Sequence, residues 1–527
     1  MVEGGDLFLP DHFQNLPYQF KQLVEHDFLE TSPWLPPNNR KDQNQMFLHG
    51  MVPYFGGKSI LWSGWCPSPK AHQLTNWPEV IRNILLDHEK IEAGKRLLQV
   101  QSTEILAKRY ERTELYPGQK ELLMLVKEPS EKEEAIVSKL LKPVYLKLQR
   151  YITRLLADNK KKLRDFNDQA DIFAEPANLA IGAGDLSQEL DFEKFSTPGP
   201  ILELKAQHND KFEIKAHCVV TRLIIDEDGH VDEIETTKGN FKLKRDAKVI
   251  LAMGVLPPTR LLQVSLSKLP KFTELVSKLG ANFSAHFIST IVARVNIPKR
   301  ELEFGAVEMG ADYICGKLPN SDREFHIQLS SIHVKDFDSG GKLAVRYSPD
   351  VVASASENQL RDSSGKILFV CAILGELSTN AGTFFYQENK LDSKRQEPSY
   401  FTNSTLALNQ FSEEDERLRT HMESVTFKII EDLLASDEKV DYWNFEKNQW
   451  QSEQAKFRAP GLVHESSTMK IGESDKDPID INYRPRGLNN VYVTGASLWP
   501  SGGSWNPTLS MCVLAQNLAS SFSTAEV

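Results

Sequence analysis

The chain of 527 residues lacks the features that define several classes of protein. No stretch approaches the roughly 18 consecutive apolar residues of a membrane-spanning helix. The N-terminus, MVEGGDLFLPDHF, has neither the basic start nor the apolar core of a secretory signal. The five cysteines are far apart and form no CxxC pair, which excludes a zinc module and argues against a disulfide framework. These absences predict a soluble protein without a metal and slightly favour the cytoplasm.

Basic surface is also scarce. The net charge is −10 at pH 7, and no segment concentrates lysine and arginine enough to offset it. Proteins that bind nucleic acid neutralise phosphates with such segments. The composition therefore argues against a nucleic-acid partner, while the oligomeric state stays open.

The sequence does show a pattern of apolar and polar residues that changes along its length. A chain of this size is too long for one core, so two or more domains are expected. Apolar residues at helical spacing predominate from about 70 to 170, as in EVIRNILLDHEKIEAGKRLLQ and IVSKLLKPVYLKLQRYITRLLAD. Between about 171 and 267, β-rich runs separated by DEDG and TTKGN predict a strand meander that ends in the buried strand KVILAMG.

Polar residues alternate with apolar ones in several runs between 268 and 455. Examples are STIVARVNI, FHIQLSSIHV and KILFVCAIL, and this pattern predicts an antiparallel sheet with one solvated face. The segment SEEDERLRTHMESVTFKIIEDLLA predicts a helix with Ser412 as its N-cap.

Three short motifs are candidates for chemistry. In NNVYVTGASLWPSGGSWNPTLSM a buried strand precedes a loop and then a helix from Pro507, with Asn506 as the N-cap. VILAMGVLPPTRLL places a small-residue turn between a strand and a helix. In YFGGKSILWSGW, Gly56 and Gly57 permit close backbone approach to a ligand, and Trp62 and Trp65 are suited to line its site. Each motif alone is more typical of ordinary turns and caps than of a ligand site.

Taken in this order, the motifs resemble those of the glucose–methanol–choline (GMC) flavoenzyme family, and within it the pyranose oxidases. The family pattern H-x-x-G-T-x-x-M-G is similar to HESSTMKIG, and its strand, Gly-Ala/Ser, Pro-bearing loop and Asn-Pro-Thr resemble VYVTGASLWPSGGSWNPTLSM. KVILAMGVLPPTRLL resembles its strand–helix signature, HCVVTRLI the strand that meets adenine, and GGKSILWSGWCP the loop that flanks the flavin in pyranose oxidases.

The resemblance implies an α/β fold with a discontinuous, Rossmann-like FAD domain (1–69, 171–267 and 456–527). It also implies a helical insertion (70–170) and a substrate domain with an antiparallel sheet (268–455). His464 would take the proton of the substrate hydroxyl and Asn506 would hold that hydroxyl. The residues that would contact FAD are Glu3, Gly56, Gly57, Ser59, Trp62, Ser63, Val220, Ala252, Gly254, Gly495, Ala496, Asn506, Pro507 and Thr508.

The sequence departs from the family pattern at four positions in these motifs. Ser467 and Lys470 replace a glycine and an arginine after the histidine. Leu61 stands where pyranose oxidases carry a histidine bonded to the flavin, so FAD is expected to bind without a covalent link. Ser63 stands where those enzymes have a threonine that faces the flavin.

The N-terminal phosphate-binding turn of the family, G-x-G-x-x-G, does not occur near Met1. MVEGG resembles the end of the second strand of that βαβ unit, with Glu3 as the acid that binds ribose. Two explanations are expected: either roughly thirty residues of the unit are missing ahead of Met1, or this chain belongs to a member that has lost the pyrophosphate cradle.

The function expected from the resemblance is FAD-dependent oxidation of a secondary alcohol, on a sugar or glycoside, with oxygen or another electron acceptor. One alternative is a dehydrogenase of the same family that acts on a non-sugar alcohol. A second alternative, from a different class, is a flavin-free relative that only binds a ligand or partner.

Overall fold

The largest sheet among the described residues has nine strands. The computed structural model describes residues 1–16, 47–48, 50–112, 147–182, 193–298, 304–351, 353–378, 381–386 and 404–523. The strands run in the order β1-β17-β9-β12-β11-β10-β3, with β15 paired to β9 and β16 to β15. All of these pairs are antiparallel except β1 with β17. The strands are β1 (Phe47–Leu48), β3 (Ile172–Pro176), β9 (Ser284–Val295), β10 (Val307–Lys317), β11 (Glu324–Val334), β12 (Ile367–Glu376), β15 (Val440–Asn444), β16 (Gln449–Gln451) and β17 (Phe457–Ser466).

Both faces of this sheet are buried, so the predicted solvated face is wrong. Almost every residue of β9 to β12 is inaccessible to solvent. Neighbouring residues of one strand belong to two separate cores, as Phe287 does to one and Ile288 to the other. Helices α4 (Lys147–Asp158) and α11 (Glu413–Ile429) pack on the first face, and α3 (Thr103–Arg112) and α9 (Phe337–Arg346) on the second. Some of the alternating polar side chains, such as Ser289 and Gln328, therefore hydrogen-bond inside the protein.

The region predicted to be helical has the expected character where the structure describes it. Asp87 caps helix α2 (His88–Leu97) by accepting hydrogen bonds from the backbone amides of Glu89 and Lys90. Part of the helix predicted over 136–158 lies outside the described residues. Ser412 caps α11, as predicted. The other helices are α1 (Glu79–Leu86), α2 (His88–Leu97), α5 (Lys160–Phe166), α6 (Pro198–Gln207), α7 (Leu256–Leu266), α8 (Thr273–Lys278), α10 (Glu357–Arg361) and α12 (Thr508–Ser523).

A parallel pair of strands and a meander form the α/β part of the fold. β8 (Val249–Leu251) pairs in parallel with β18 (Val491–Val493), and α7 follows β8 directly. The predicted meander is confirmed as the antiparallel sheet β5-β6-β7. Its strands are β5 (Val220–Ile225), β6 (Val231–Thr236) and β7 (Gly239–Lys242). The remaining described strands are β2 (Val100–Ser102), β4 (Asn178–Ala180), β13 (Gly382–Tyr386) and β14 (Ser404–Leu408).

This mixed α/β architecture, with a large antiparallel sheet beside a small parallel one, confirms the predicted fold class. Segments assigned by sequence to the FAD domain also supply β1, β3 and β17 to the large sheet. One core cluster joins residues from both parts of the chain. The exact domain boundaries remain a prediction.

The terminal helix corrects one detail of the sequence prediction. α12 begins at Thr508, and its first intrahelical hydrogen bond runs from the Met511 amide to the Pro507 carbonyl. Pro507 therefore occupies the N-cap position. The Asn506 side chain does not cap the helix, because it points to a histidine cluster.

Among the residues that the structure describes, no helix is both long and apolar enough to cross a membrane.

Candidate active site

A β-bulge in β17 positions His464. Val463 lies opposite His286 and Ser466 lies opposite Ser284. Between these two pairs, β17 contains one residue more than β9. His464, inside the bulge, adopts the left-handed conformation with φ of 55°. Such conformations are rare for residues with a side chain, and bulges commonly redirect side chains next to active sites. Here the bulge brings the His464 ring beside His286.

His464 and Asn506 meet at their polar ends, as the sequence predicted. Nε2 of His464 lies 3.5 Å from Nδ2 of Asn506. The other end of the Asn506 amide, Oδ1, accepts a hydrogen bond of 2.9 Å from Nε2 of Gln328. Asn506 and Gln328 are buried, whereas His464 retains some accessible surface. The pair therefore offers one hydrogen-bond acceptor and one donor at a single point.

Two further imidazoles extend the cluster. Nδ1 of His464 is 2.9 Å from Nδ1 of His286, and the His286 and His326 rings pack edge to face. The Tyr313 ring stacks on His326. Burial lowers the pKa of His286 to about 4, and burial together with the neighbouring imidazoles lowers the pKa of His464 well below its usual range. Burial and the neighbouring His286 also lower the pKa of His326 well below its usual range, so all three histidines are neutral near pH 7.

Strand residues also hold the loop that carries Asn506. The Gly503 amide donates a hydrogen bond of 2.9 Å to Glu376 at the end of β12. The Ser504 hydroxyl donates one of 3.1 Å to Glu324 at the start of β11. These contacts hold the loop so that Asn506 lies next to the histidines of the sheet.

The turns that follow the two parallel strands meet next to this cluster. Gly254 and Gly495 have positive φ angles of 81° and 101°, and a Cβ built on Gly495 would meet only the Gly254 carbonyl oxygen, at 3.5 Å. The Ser467 amide donates to the Ala496 carbonyl, so the turn after His464 runs beside them. Ala252 and Gly254 are exposed. This is the crevice at the carboxyl ends of parallel strands where α/β folds bind nucleotides.

The loop from Tyr54 to Trp65 closes another side of the site. Lys58 forms an ion pair with Glu465, the neighbour of His464. A Cβ added at Gly57 would meet nothing within 4 Å, so the backbone there is open to a ligand. The Ser59 hydroxyl donates to the Gly56 carbonyl and is 2.9 Å from the Thr197 hydroxyl.

The polar atoms of Trp62 and Ser63 are engaged within the protein. Nε1 of Trp62 donates to the Phe195 carbonyl, and the Ser63 hydroxyl donates to Asp350 at 2.8 Å. Buried Lys194 donates to the Ser63 and Pro349 carbonyls, which holds this segment in place.

Glu3 and Val220 form a second group. The Glu3 carbonyl accepts a hydrogen bond from Cys218, two residues before Val220, and the Glu3 carboxylate accepts one from the Gly5 amide. Burial raises the pKa of Glu3. The structure thus brings the predicted ribose-binding acid next to the strand predicted to meet adenine.

The residues present fit the FAD that the resemblance implies. The exposed turn at Gly254 and the open backbone at Gly57 leave space that side chains do not fill. Ser497, beside the turn at Gly495, has a buried hydroxyl without a hydrogen-bond partner within the described residues. Neutral donors and open backbone of this kind suit a large polar cofactor.

Sequence reasoning missed His286, His326 and Gln328. The sequence pattern could have indicated two of them, because His326 and Gln328 are two residues apart in β11 and so lie on one face of the sheet. The alternation by itself predicts a solvated face, but these side chains point into the site.

Comparisons with known proteins found a matching family model and a similar fold. The family model described as GMC oxidoreductase matches residues 390–515, which include His464 and Asn506. The crystal structure of pyridoxine 4-oxidase from Mesorbium loti is similar in fold, with a TM-score of 0.55 and 12% sequence identity over 99% of this chain and 94% of that chain. No curated protein matches the chain. The particular likeness to pyranose oxidases stays a prediction.

A paired histidine and asparagine, an open crevice at the ends of two parallel strands and a matching family model favour a flavin enzyme over the flavin-free alternative. Residues 390–515, which carry both members of the pair, are similar to the GMC oxidoreductases, and this similarity supports an FAD-dependent oxidoreductase.

Proposed function

We propose that the enzyme oxidises a secondary alcohol of a sugar or glycoside, with His464 as the base and Asn506 as the residue that holds the hydroxyl. The observation that carries this proposal is the 3.5 Å approach of His464 Nε2 to Asn506 Nδ2. A substrate hydroxyl between them would give its proton to the imidazole and accept a hydrogen bond from the amide.

The electrostatics of the site support this division of roles. A base must be unprotonated before it can act, and burial holds His464 neutral by lowering its pKa. Asn506 is neutral at every pH, so it orients the hydroxyl without competing for the proton. When bound, FAD supplies the acceptor for the hydride that leaves the same carbon. Gly57, Ala252, Gly254, Gly495 and Ala496 would hold it.

The surroundings of His464 and Asn506 favour a substrate with several hydroxyl groups, such as a sugar, over an alcohol whose remainder is a hydrocarbon. Gln328, His326 and Tyr313 place polar groups within the same buried cluster. Polar groups in a site discriminate strongly for ligands that can satisfy them. The structurally similar pyridoxine 4-oxidase, named for a non-sugar substrate, makes pyridoxine a necessary member of the comparison.

The test is a substrate screen with flavin reduction as the signal. The purified chain is loaded with FAD, binding is confirmed by the flavin absorbance bands, and sugars, glycosides, pyridoxine and simple alcohols are mixed with it without oxygen. Bleaching by a sugar or glycoside supports the proposal. Bleaching only by non-sugar alcohols contradicts the substrate class, and no bleaching by any alcohol contradicts the function.

His464→Ala tests the assigned base. The variant should reduce bound FAD about a hundredfold more slowly or worse, the usual range for a positioned general base. His208→Ala is the control and should keep the parent rate, because His208 is exposed and distant from His464 in the sequence. A folded His464→Ala enzyme that retains the parent rate would remove His464 from the mechanism.

A further inference from the structure

The contact between His464 and His286 joins two nitrogens of the same kind. Their Nδ1 atoms are 2.9 Å apart, so one must carry the hydrogen and the other must accept it. Which one donates decides whether His464 Nε2, the atom that faces Asn506, is free to take a proton.

A backbone carbonyl settles the direction. Nε2 of His286 lies 2.5 Å from the Gly503 carbonyl oxygen, which can only accept. Nε2 of His286 therefore carries the hydrogen. His286 is buried and neutral, so its Nδ1 has a lone pair and accepts from His464. It follows that His464 carries its hydrogen on Nδ1 and has a lone pair on Nε2.

A second path through the cluster gives the same result. The Ser504 carbonyl contacts Nδ1 of His326, so that nitrogen donates and Nε2 of His326 accepts from the Gln328 amide at 3.3 Å. The same Gln328 nitrogen donates to Oδ1 of Asn506 at 2.9 Å. The Asn506 nitrogen is then turned towards His464, where a donor requires the lone pair on Nε2. The carbonyls of Gly503 and Ser504, in one loop, thus set the tautomer of His464 and the orientation of the Asn506 amide.

We infer that His286 is a positioning residue, which holds His464 in the tautomer with hydrogen on Nδ1 and so keeps Nε2 as the proton-accepting atom. This rests on the function proposed above for His464. Without an acceptor at Nδ1, the hydrogen is free to move to Nε2, since the tautomer of a histidine is set by the hydrogen bond that its other nitrogen makes. The base would then be blocked by its own proton, although its position were unchanged.

The experiment reads the tautomer directly. The full chain, loaded with FAD and labelled with ¹⁵N in its histidine rings, is studied by NMR at pH 7, where protonated and bare ring nitrogens give well-separated signals. Variants that lose one histidine assign the resonances. The parent should show hydrogen on Nδ1 of His464 and on Nε2 of His286. Hydrogen on Nε2 of His464 in the parent overturns the inference.

Two variants of His286 separate positioning from packing. His286→Phe removes the acceptor, so His464 should shift to the Nε2–H tautomer and flavin reduction should slow at least tenfold. His286→Asn restores an amide oxygen near the position of Nδ1, so it should recover the Nδ1–H tautomer and most of the rate. His333→Phe is the matched control, because His333, in β11, is likewise a buried strand histidine bonded to a backbone carbonyl, that of Lys366.

The outcomes distinguish the inference from the proposed function. A Phe variant that keeps the parent tautomer and rate, or an Asn variant no better than Phe in either, contradicts the inference. A parent chain with the expected tautomers that oxidises no alcohol contradicts the proposed function alone, because the NMR signals are read without turnover.

Discussion

Asn506→Asp changes one atom of the candidate pair and should nearly abolish flavin reduction. The aspartate keeps an oxygen that can accept from Gln328, but it replaces the amide donor with a carboxylate oxygen about where Nδ2 lies, 3.5 Å from His464 Nε2. At that distance a unit charge pair with an effective dielectric constant of about 20 attracts by roughly 5 kcal/mol. This attraction opposes the burial that lowers the pKa of His464. The pKa should rise, and the base should be protonated near neutral pH.

The rise of the His464 pKa in this variant should change how the rate of flavin reduction depends on pH. In the parent, His464 is neutral near pH 7, so anaerobic flavin reduction should not change between about pH 6 and 8. In Asn506→Asp the rate at pH 7 should be at least a hundredfold lower and should rise with pH, because the charged imidazole loses its proton only at higher pH.

Asn506→Ala is the control for this prediction. It removes the hydrogen bonds of the amide without adding a charge, so it should slow the reaction but leave it independent of pH. It should also carry no helix-capping penalty, because Asn506 does not cap α12. An aspartate variant with the parent rate, or with the same flat pH profile as the alanine variant, would refute the electrostatic reasoning.

Three further outcomes follow from the structure. Acid precipitation should release all flavin into the supernatant, because Leu61 cannot bond to it; colour in the pellet would contradict this. Ser467 has a φ of 71°, so in denaturant titrations Ser467→Gly should keep the stability within about 1 kcal/mol of the parent or raise it, while β-branched Ser467→Val should lower it by about 2 kcal/mol. Burial lowers the pKa of His286 to about 4 and that of His12 to about 3, from 6.5. The unfolded chain therefore binds more protons below pH 6.5, and the free energy of unfolding should fall by about 1.4 kcal/mol per pH unit for each histidine between pH 6.5 and 4. Equal stability at pH 6.5 and 4.5 would contradict it.

Local patterns determined much of what could be foreseen. Asn-Pro-Thr after a strand and loop located the final helix, and the strand–turn–helix at Gly254 located the crevice, because turns and helix starts depend on residues that are neighbours in sequence. The meander of β5 to β7 and the cap at Ser412 were predictable for the same reason. The relation between His464 and Asn506 came from the resemblance, and the structure places the two side chains together.

Tertiary structure decided what depends on distant segments. The pattern of β9 and β11 could not show whether their polar side chains meet water or one another, since alternation only specifies which residues share a face. Only the packing of helices on both faces of the sheet made His286, His326 and Gln328 a buried cluster. The bulge at His464 arises from pairing β17 with β9, nearly 180 residues earlier.

The sequence by itself predicted the likeness to GMC oxidoreductases, the FAD cofactor and the two residues of the candidate pair, because each prediction rests on a short motif whose residues are neighbours in the chain. It did not determine the state of the base. That state is set by Gly503 and Ser504, two carbonyls whose loop is held against β11 and β12 by contacts with Glu324 and Glu376. A hydrogen bond has a direction only when both partners are in place, and here only the folded chain brings them together.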